Sequence, residues 1–190
     1  YIGGVHMSSI YEYEKKGSFL KISFDGTLIK TTSISNDTMG FDLWQGHNLI
    51  RTLDDKFACM ALAREVGAYS AFIFLKLNDN GDTLATNYIY DFYENDLSIG
   101  KRPSTFIQAQ DSTYYGLVHI QRSSDYMGGV TFFRLDKNGN LMYWQNYYGL
   151  SLSGYHALTQ ASLVKTGENE LIIGVALKDL TGDYEDQRFH

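Results

Sequence analysis

The chain has 190 residues, of which 15% are aromatic, with 18 glycines, one proline and a formal net charge of −6. The negative charge argues against nucleic acid or an anionic membrane as a partner, and no apolar run reaches the ~20 residues of a membrane-spanning helix. Because aromatic residues favour strands and glycine marks turns, the composition predicts an all-β protein. The single cysteine, Cys59, excludes an internal disulfide, and its apolar surroundings in the sequence predict a buried structural thiol.

Three copies of a strand-turn-strand pattern organise the chain. They contain the turn glycines Gly26, Gly81 and Gly139, which are 55 and 58 residues apart. In each copy Asp or Asn stands immediately before the glycine, a basic residue stands five positions before it, and a leucine follows it by two or three. Asp-Gly and Asn-Gly are strong hairpin signals because both residues tolerate a positive φ. The pattern predicts hairpins in a repeat of about 57 residues.

A second repeated element carries two histidines. Residues 1–7 match residues 114–120 at an offset of 113, or two periods, which places His6 and His119 at equivalent positions. Metal ligands or acid–base groups would be the functional interpretation of this pair. Repeated packing positions are the preferred interpretation, because residues two repeats apart need not converge in space.

The predicted strands fall into units along the chain. The units occupy residues 1–34, 48–90, 106–148 and 162–190. The two complete units each predict four antiparallel strands, near 48–53, 56–64, 71–77 and 82–90, and near 106–110, 114–122, 130–135 and 140–148. The first unit supplies three strands, and the last supplies two strands and part of a third. The segments between the units are predicted to be connections.

Four antiparallel strands in about 57 residues, followed by one long connection, are typical of a propeller blade. A sandwich does not repeat its sequence in this way, and the coils of a β-solenoid are usually shorter. Residues 1–190 are therefore predicted to form one β-propeller fragment, present as an incomplete arc. Because such an arc exposes apolar faces at both ends, the remaining blades or a protein partner are expected to cover them.

Part of this pattern resembles a known group of repeats. The segment 134–140, followed by Trp144 and by Tyr148-Gly149, is similar to repeats of large secreted proteins from Bacteroidetes-type bacteria, and the segment 76–82 fits the first half of that pattern. The resemblance implies a β-propeller in a secreted or cell-surface protein, often a cargo of the type IX secretion system. It implies no catalytic residues, because the shared positions are those of turns and core.

Two loops cluster side-chain oxygens, at 78–82 and 136–140, which raises the question of calcium. A calcium loop needs three acidic or amide positions before its glycine and a glutamate further on, and neither loop supplies both. Turn formation accounts for these residues instead. The sequence has no glycine-rich phosphate loop, Ser-His-Asp order or Cys/His metal spacing, so no catalytic, cofactor or metal site is predicted.

The expected function is non-catalytic binding or scaffolding, through loops, in an extracellular or cell-surface protein. The partner is expected to be a protein or a glycan, because the loops are rich in aromatic and polar residues. The expected partner contacts are Trp44, Tyr93, Tyr126 and Tyr184. Two alternatives remain open. One is a propeller enzyme acting on polysaccharide, a lyase or glycosidase, which needs convergent carboxylates, tyrosine or histidine. The other is an accessory or client subunit of a bacterial export or surface complex.

Overall fold

The computed structural model describes residues 2–7, 15–34, 39–42, 49–65, 70–90, 97–122, 128–148, 156–167 and 170–179. These residues form fourteen strands and no helix, so the all-β prediction is confirmed. Every pairing between the described strands is antiparallel. The described part of the chain therefore offers no helix that is long and apolar enough to cross a membrane.

The strands form four sheets that follow one another along the chain. Sheet A contains β1 (Ile2–Met7), β2 (Lys15–Ile22) and β3 (Leu28–Ile34) in that order. Sheet B contains β4 (Met39–Asp42), β5 (Ile50–Arg51), β6 (Phe57–Glu65), β7 (Ser70–Leu77) and β8 (Thr83–Ile89), in the order β4-β6-β7-β8 with β5 also paired to β6. Sheet C contains β9 (Leu97–Gln108), β10 (Tyr114–Arg122), β11 (Gly128–Leu135) and β12 (Leu141–Tyr148), in spatial order β12-β11-β10-β9. Sheet D contains β13 (His156–Lys165) and β14 (Leu171–Asp179). Four-stranded antiparallel units are thus confirmed, and no sheet of the described strands closes on itself.

The first strand of a unit begins earlier than predicted. Residues 97–104, predicted as connection, belong to β9, which pairs with β10 from Leu97 to Gln108. Pro103 lies inside this strand, where a proline argues against a strand in sequence. It is tolerated because β9 is an edge strand and the ladder shifts register between Leu117 and Val118, opposite the proline. Residues 39–42 and 156–161, likewise predicted as connections, are strands that pair with β6 and β14.

The two histidines of the repeated element do not share a position. Lys16 in β2 and Gly129 in β11 lie equally far before the turn glycines Gly26 and Gly139, so the two residues occupy corresponding positions. Lys16 pairs with His6, whereas Gly129 pairs with Ile120. His6 therefore corresponds to Ile120 and not to His119, so the predicted equivalence is wrong by one residue. A slip of one residue moves a side chain to the opposite face of a sheet.

Six tight turns share one hydrogen-bond pattern. The backbone N–H of the first residue donates to the carbonyl oxygen of the fifth, and in five of the turns the N–H of the fourth donates to the carbonyl oxygen of the first. In those five turns the fourth residue has a positive φ, supplied by three glycines and by Asp55 and Ser112. This is a type I turn followed by a left-handed residue that forms a β-bulge. The first residues of the six turns are Ser23, Thr52, Asn78, Ala109, Asp136 and Thr166.

In four of the six turns the side chain of the first residue caps the loop by accepting backbone hydrogen bonds, and Asp136 does so most completely. Its Oδ1 accepts hydrogen bonds from the backbone N–H groups of Asn138 and Asn140, at 2.8 and 2.9 Å. Asn78 makes the same pair of bonds through its amide oxygen. We therefore expect Asp136→Ala to lower the free energy of unfolding by about 1–2 kcal/mol, as loss of a comparable side-chain cap does. Asp136→Asn should stay within about 0.5 kcal/mol of the wild type, because Asn78 shows that an amide suffices.

Urea unfolding of the three proteins measures this difference. An equal loss in Asp136→Asn and Asp136→Ala would show that the charge of the carboxylate, and not its acceptor geometry, stabilises the turn.

The sheets pack face to face in chain order. One apolar cluster joins sheets B and C and includes Met60, Phe74, Phe106 and Tyr114. Another joins sheets A and B, and a third joins sheets C and D. Sheet B is covered on both faces, which explains why β6 and β7 are nearly continuous apolar runs. Trp144, which carried the family resemblance, packs partly buried against the cluster between sheets B and C.

Candidate functional site

The partner contacts predicted from sequence lie outside the described residues. This holds for Trp44, Tyr93, Tyr126 and Tyr184, so their prediction stays open. The candidate site is instead a cleft that no loop motif indicated. It lies between sheets C and D, where the turn that joins β9 to β10 faces the turn that joins β13 to β14.

The cleft has a volume of about 470 Å³, which falls within the range of small-molecule sites. Charged side chains from both sheets line it together with apolar ones. The charged residues are Asp111, Arg134, Lys165 and Glu170, and the apolar lining comes mainly from Tyr115, Phe132 and Leu171. Donors, acceptors and aromatic surface therefore meet in one place.

Arg134 is held in position by two contacts within sheet C. Its Nη2 donates to Asp111 Oδ2 at 3.0 Å, and its guanidinium carbon lies 5.5 Å from the centroid of the Tyr115 ring. Hydrogen bonds from the side chain and backbone of Thr113 lower the pKa of Asp111 below its ordinary value. Arg134 adds to this lowering, and burial opposes it. Asp111 therefore stays ionised at neutral pH.

The same ion pair occurs one repeat earlier. Lys76 Nζ lies 2.8 Å from Asp54 Oδ2, and Asp54 precedes Asp111 by 57 residues. The basic residue that recurs before each turn glycine thus has a partner in the preceding turn, in both complete units. Sequence reasoning identified the basic residue and missed the acid, although the spacing of the two aspartates matches the repeat.

The cleft arises from a local departure from the repeat. Between sheets B and C, Phe74 is fully buried, with its ring centroid 5.0 Å from that of Tyr114. One repeat later Phe132 takes the place of Phe74, but Leu171 takes the place of Tyr114. Because leucine is smaller than tyrosine, Phe132 is only partly buried, and space remains beside it.

Lys165 and Glu170 stand at the mouth of the cleft, and both are exposed. Within the described residues, neither side chain has an ion pair or hydrogen bond. In the preceding repeat the residue equivalent to Lys165 is Gln108, whose Oε1 accepts a hydrogen bond from the backbone N–H of Leu53 at 2.7 Å. An ammonium group cannot accept that bond, so Lys165 is available for other contacts.

Two further side chains that could carry chemistry, those of Cys59 and His119, are buried. Cys59 is 2% exposed, which confirms the predicted buried thiol, and burial raises the pKa of this thiol to about 12. His119 is 8% exposed and lies in the middle of β10. Among the residues that the structure describes, no three His, Cys, Asp or Glu side chains form a group that could hold a metal ion.

Comparison of the chain with models of known protein families, with curated protein sequences and with solved structures found no match in any of the three.

Proposed function

We propose that the chain is a section of a β-propeller, with each sheet as one blade. Its function would be non-catalytic binding or scaffolding in a secreted or cell-surface bacterial protein of the Bacteroidetes type, such as a type IX secretion cargo. The observation that carries this proposal is the repeated stacking of the sheets. Neighbouring sheets use the same turns, the same strand order and the same facing positions, as the blades of a propeller do.

Polar contacts between sheets support this assignment. Lys21 Nζ donates to the carbonyl oxygen of Asp79, and Asn87 Nδ2 donates to that of Asn138, at 2.9 and 2.6 Å. The backbone N–H of Leu53, in sheet B, likewise donates to the Oε1 of Gln108 in sheet C. These pairs are 58, 51 and 55 residues apart, close to one repeat. A sheet therefore contacts the next sheet of the chain through corresponding turns.

The recurrence of the charged pairs supports a non-catalytic role. The Lys76–Asp54 and Arg134–Asp111 pairs occupy equivalent positions in successive repeats. A catalytic pair is a local feature of one site, whereas a pair repeated with the fold stabilises each repeat in the same way. Three residues of the cleft lining, Lys165, Glu170 and Leu171, differ from their counterparts in the preceding repeat, and binding is expected at such variable positions.

A crystal or cryo-electron microscopy structure of the intact protein tests the architecture. The expected result is a fan of sheets around an axis, with β5, β9 and β13 nearest to it. A straight column of sheets would assign the chain to a solenoid and overturn the propeller.

The non-catalytic role is tested separately by incubation of the protein with soluble polysaccharides. No new reducing ends and no unsaturated uronate absorbance are expected. Turnover that is lost when Asp111 is replaced by Asn would move the protein to the enzyme class. Removal of the protein from intact producing cells by external protease would support its surface location, and full protection would contradict it.

A further inference from the structure

We propose that the cleft between sheets C and D binds a ring of a neutral oligosaccharide. The apolar face of the sugar would lie against Phe132, and its hydroxyl groups would bond the charged side chains at the rim. This inference rests on the proposed binding function and names a site and a ligand class for it.

The first step is the space beside Phe132. In the preceding interface the ring of Tyr114 stacks on that of Phe106, with centroids 5.0 Å apart and planes at 11°, and both lie close to Phe74. The residues of sheet D at the two facing positions are Leu163 and Leu171. Two aromatic rings are thus replaced by two leucines, and the resulting space can accept a six-membered ring.

The second step is the rim. Arg134 and Lys165 offer N–H donors, while Asp111 and Glu170 offer carboxylate acceptors. A hydroxyl group both donates and accepts, so a sugar can use both kinds of partner at once. The two positive and two negative groups balance each other, which disfavours a strongly charged ligand and favours a neutral one.

The third step separates a sugar from the aromatic side chain of a protein partner. A phenylalanine ring would fill the space but offers no hydrogen-bonding group to Lys165 and Glu170 at the rim. A pyranose has a C–H face for Phe132 and hydroxyl groups around its edge for the rim. The combination of one aromatic face and four charged groups therefore favours a sugar.

The test uses the whole chain and three neutral probes: cellohexaose, maltohexaose and xylohexaose. Binding is followed by two-dimensional NMR of the 15N-labelled protein during titration. Leu171→Tyr restores the ring found in the preceding interface and should fill the cleft. We expect it to weaken binding by about tenfold or more, since it occupies the stacking position.

The matched control is Ile172→Tyr. Ile172 is 60% exposed and follows Leu171 on β14, so its side chain points to the opposite face of the sheet. This variant adds the same ring outside the cleft and should bind as the wild type does. At the rim, Lys165→Ala should weaken binding several-fold, because it removes one donor, whereas Lys137→Ala, in an exposed turn that does not line the cleft, should not.

Two results with the sugars, and one with a peptide, would overturn the sugar site. One is the absence of spectral changes with all three probes, and the other is equal binding by Leu171→Tyr and Ile172→Tyr. A tyrosine-containing peptide that bound in place of the sugars would assign the cleft to a protein partner and also reject the proposal. Each of these outcomes leaves the propeller and its scaffolding role standing, because the structure of the intact protein tests those independently. Cleavage of a bound probe would keep the site and reject the non-catalytic role.

Discussion

Gly139→Ala is expected to lower the free energy of unfolding by about 2–5 kcal/mol. Two causes add. Gly139 has a φ of 86°, in the left-handed region, where a residue with a Cβ costs about 1–2 kcal/mol. A Cβ at this position would also overlap the ring of Phe74 in the neighbouring sheet. Phe74 is fully buried, so its ring cannot move aside, and such overpacking costs about 1–3 kcal/mol more.

Gly26→Ala is the matched control for this experiment. Gly26 occupies the same place in an equivalent turn, with a φ of 87°, but nothing lies within 4 Å of an added Cβ. Only the backbone cost of about 1–2 kcal/mol applies to it. Urea unfolding followed by fluorescence measures both variants. If both variants lower the free energy of unfolding equally, the Phe74 ring does not lie against the turn at Gly139. The close contact between sheets B and C at this turn would then be contradicted.

A large loss of stability is also expected at alkaline pH. Burial raises the pKa of the Cys59 thiol from 9.0 to about 12. Burial, aided by the charge of Asp54, raises the pKa of Tyr114 from 10.0 to about 12. Each group is neutral when protonated and becomes an anion when it loses its proton. Because the pKa of each group is higher in the folded state, that state holds the proton more tightly than the unfolded state. Their contribution is fully present below pH 9 and is lost as the pH rises towards 12, by about 2–4 kcal/mol for each group.

Tyr114→Phe and Cys59→Ala separate the two contributions. Tyr114→Phe should flatten the decline above pH 10, and Cys59→Ala should flatten it from pH 9. At pH 7 Tyr114→Phe should be neutral or stabilising by about 1 kcal/mol, because the buried Tyr114 hydroxyl has no hydrogen-bond partner in the described part of the chain. Unfolding by urea at pH 7, 9, 10 and 11 provides the comparison. Identical slopes for all three proteins would mean that neither group is shielded from water in the folded state.

The hairpins could be predicted because their signal is local. Asp-Gly and Asn-Gly at residues 25–26, 80–81 and 138–139 dictate a turn whatever surrounds them. The turns between the first two strands of a unit carry Asp55 and Ser112 at the left-handed position, which gives a weaker signal without glycine. The early start of β9 was missed because Pro103 argues against a strand unless the strand is known to lie at an edge.

The cleft could not be predicted, because it depends on pairs of residues that face each other across sheets. Phe106 and Tyr114 face Phe74 between sheets B and C, whereas Leu163 and Leu171 stand at these two positions one repeat later. Each residue is ordinary in its own strand, and only the stacking order shows which interface is underfilled. The acid partners of Lys76 and Arg134 are similar, since their pairing depends on the position of a turn in three dimensions.

Neighbouring sheets are joined by contacts between residues that are 51 to 58 positions apart in the sequence. This short separation also bears on how the chain folds during its synthesis. Ribosomes add roughly 5–20 residues per second, so each repeat emerges within about 3–11 s of the one before it. The apolar face of a newly formed sheet therefore stays exposed only for this interval, until the next sheet packs against it. No sheet of the described stack depends on a distant part of the chain. A growing chain built in this way exposes about one uncovered apolar face at a time, which limits its opportunity to aggregate during synthesis.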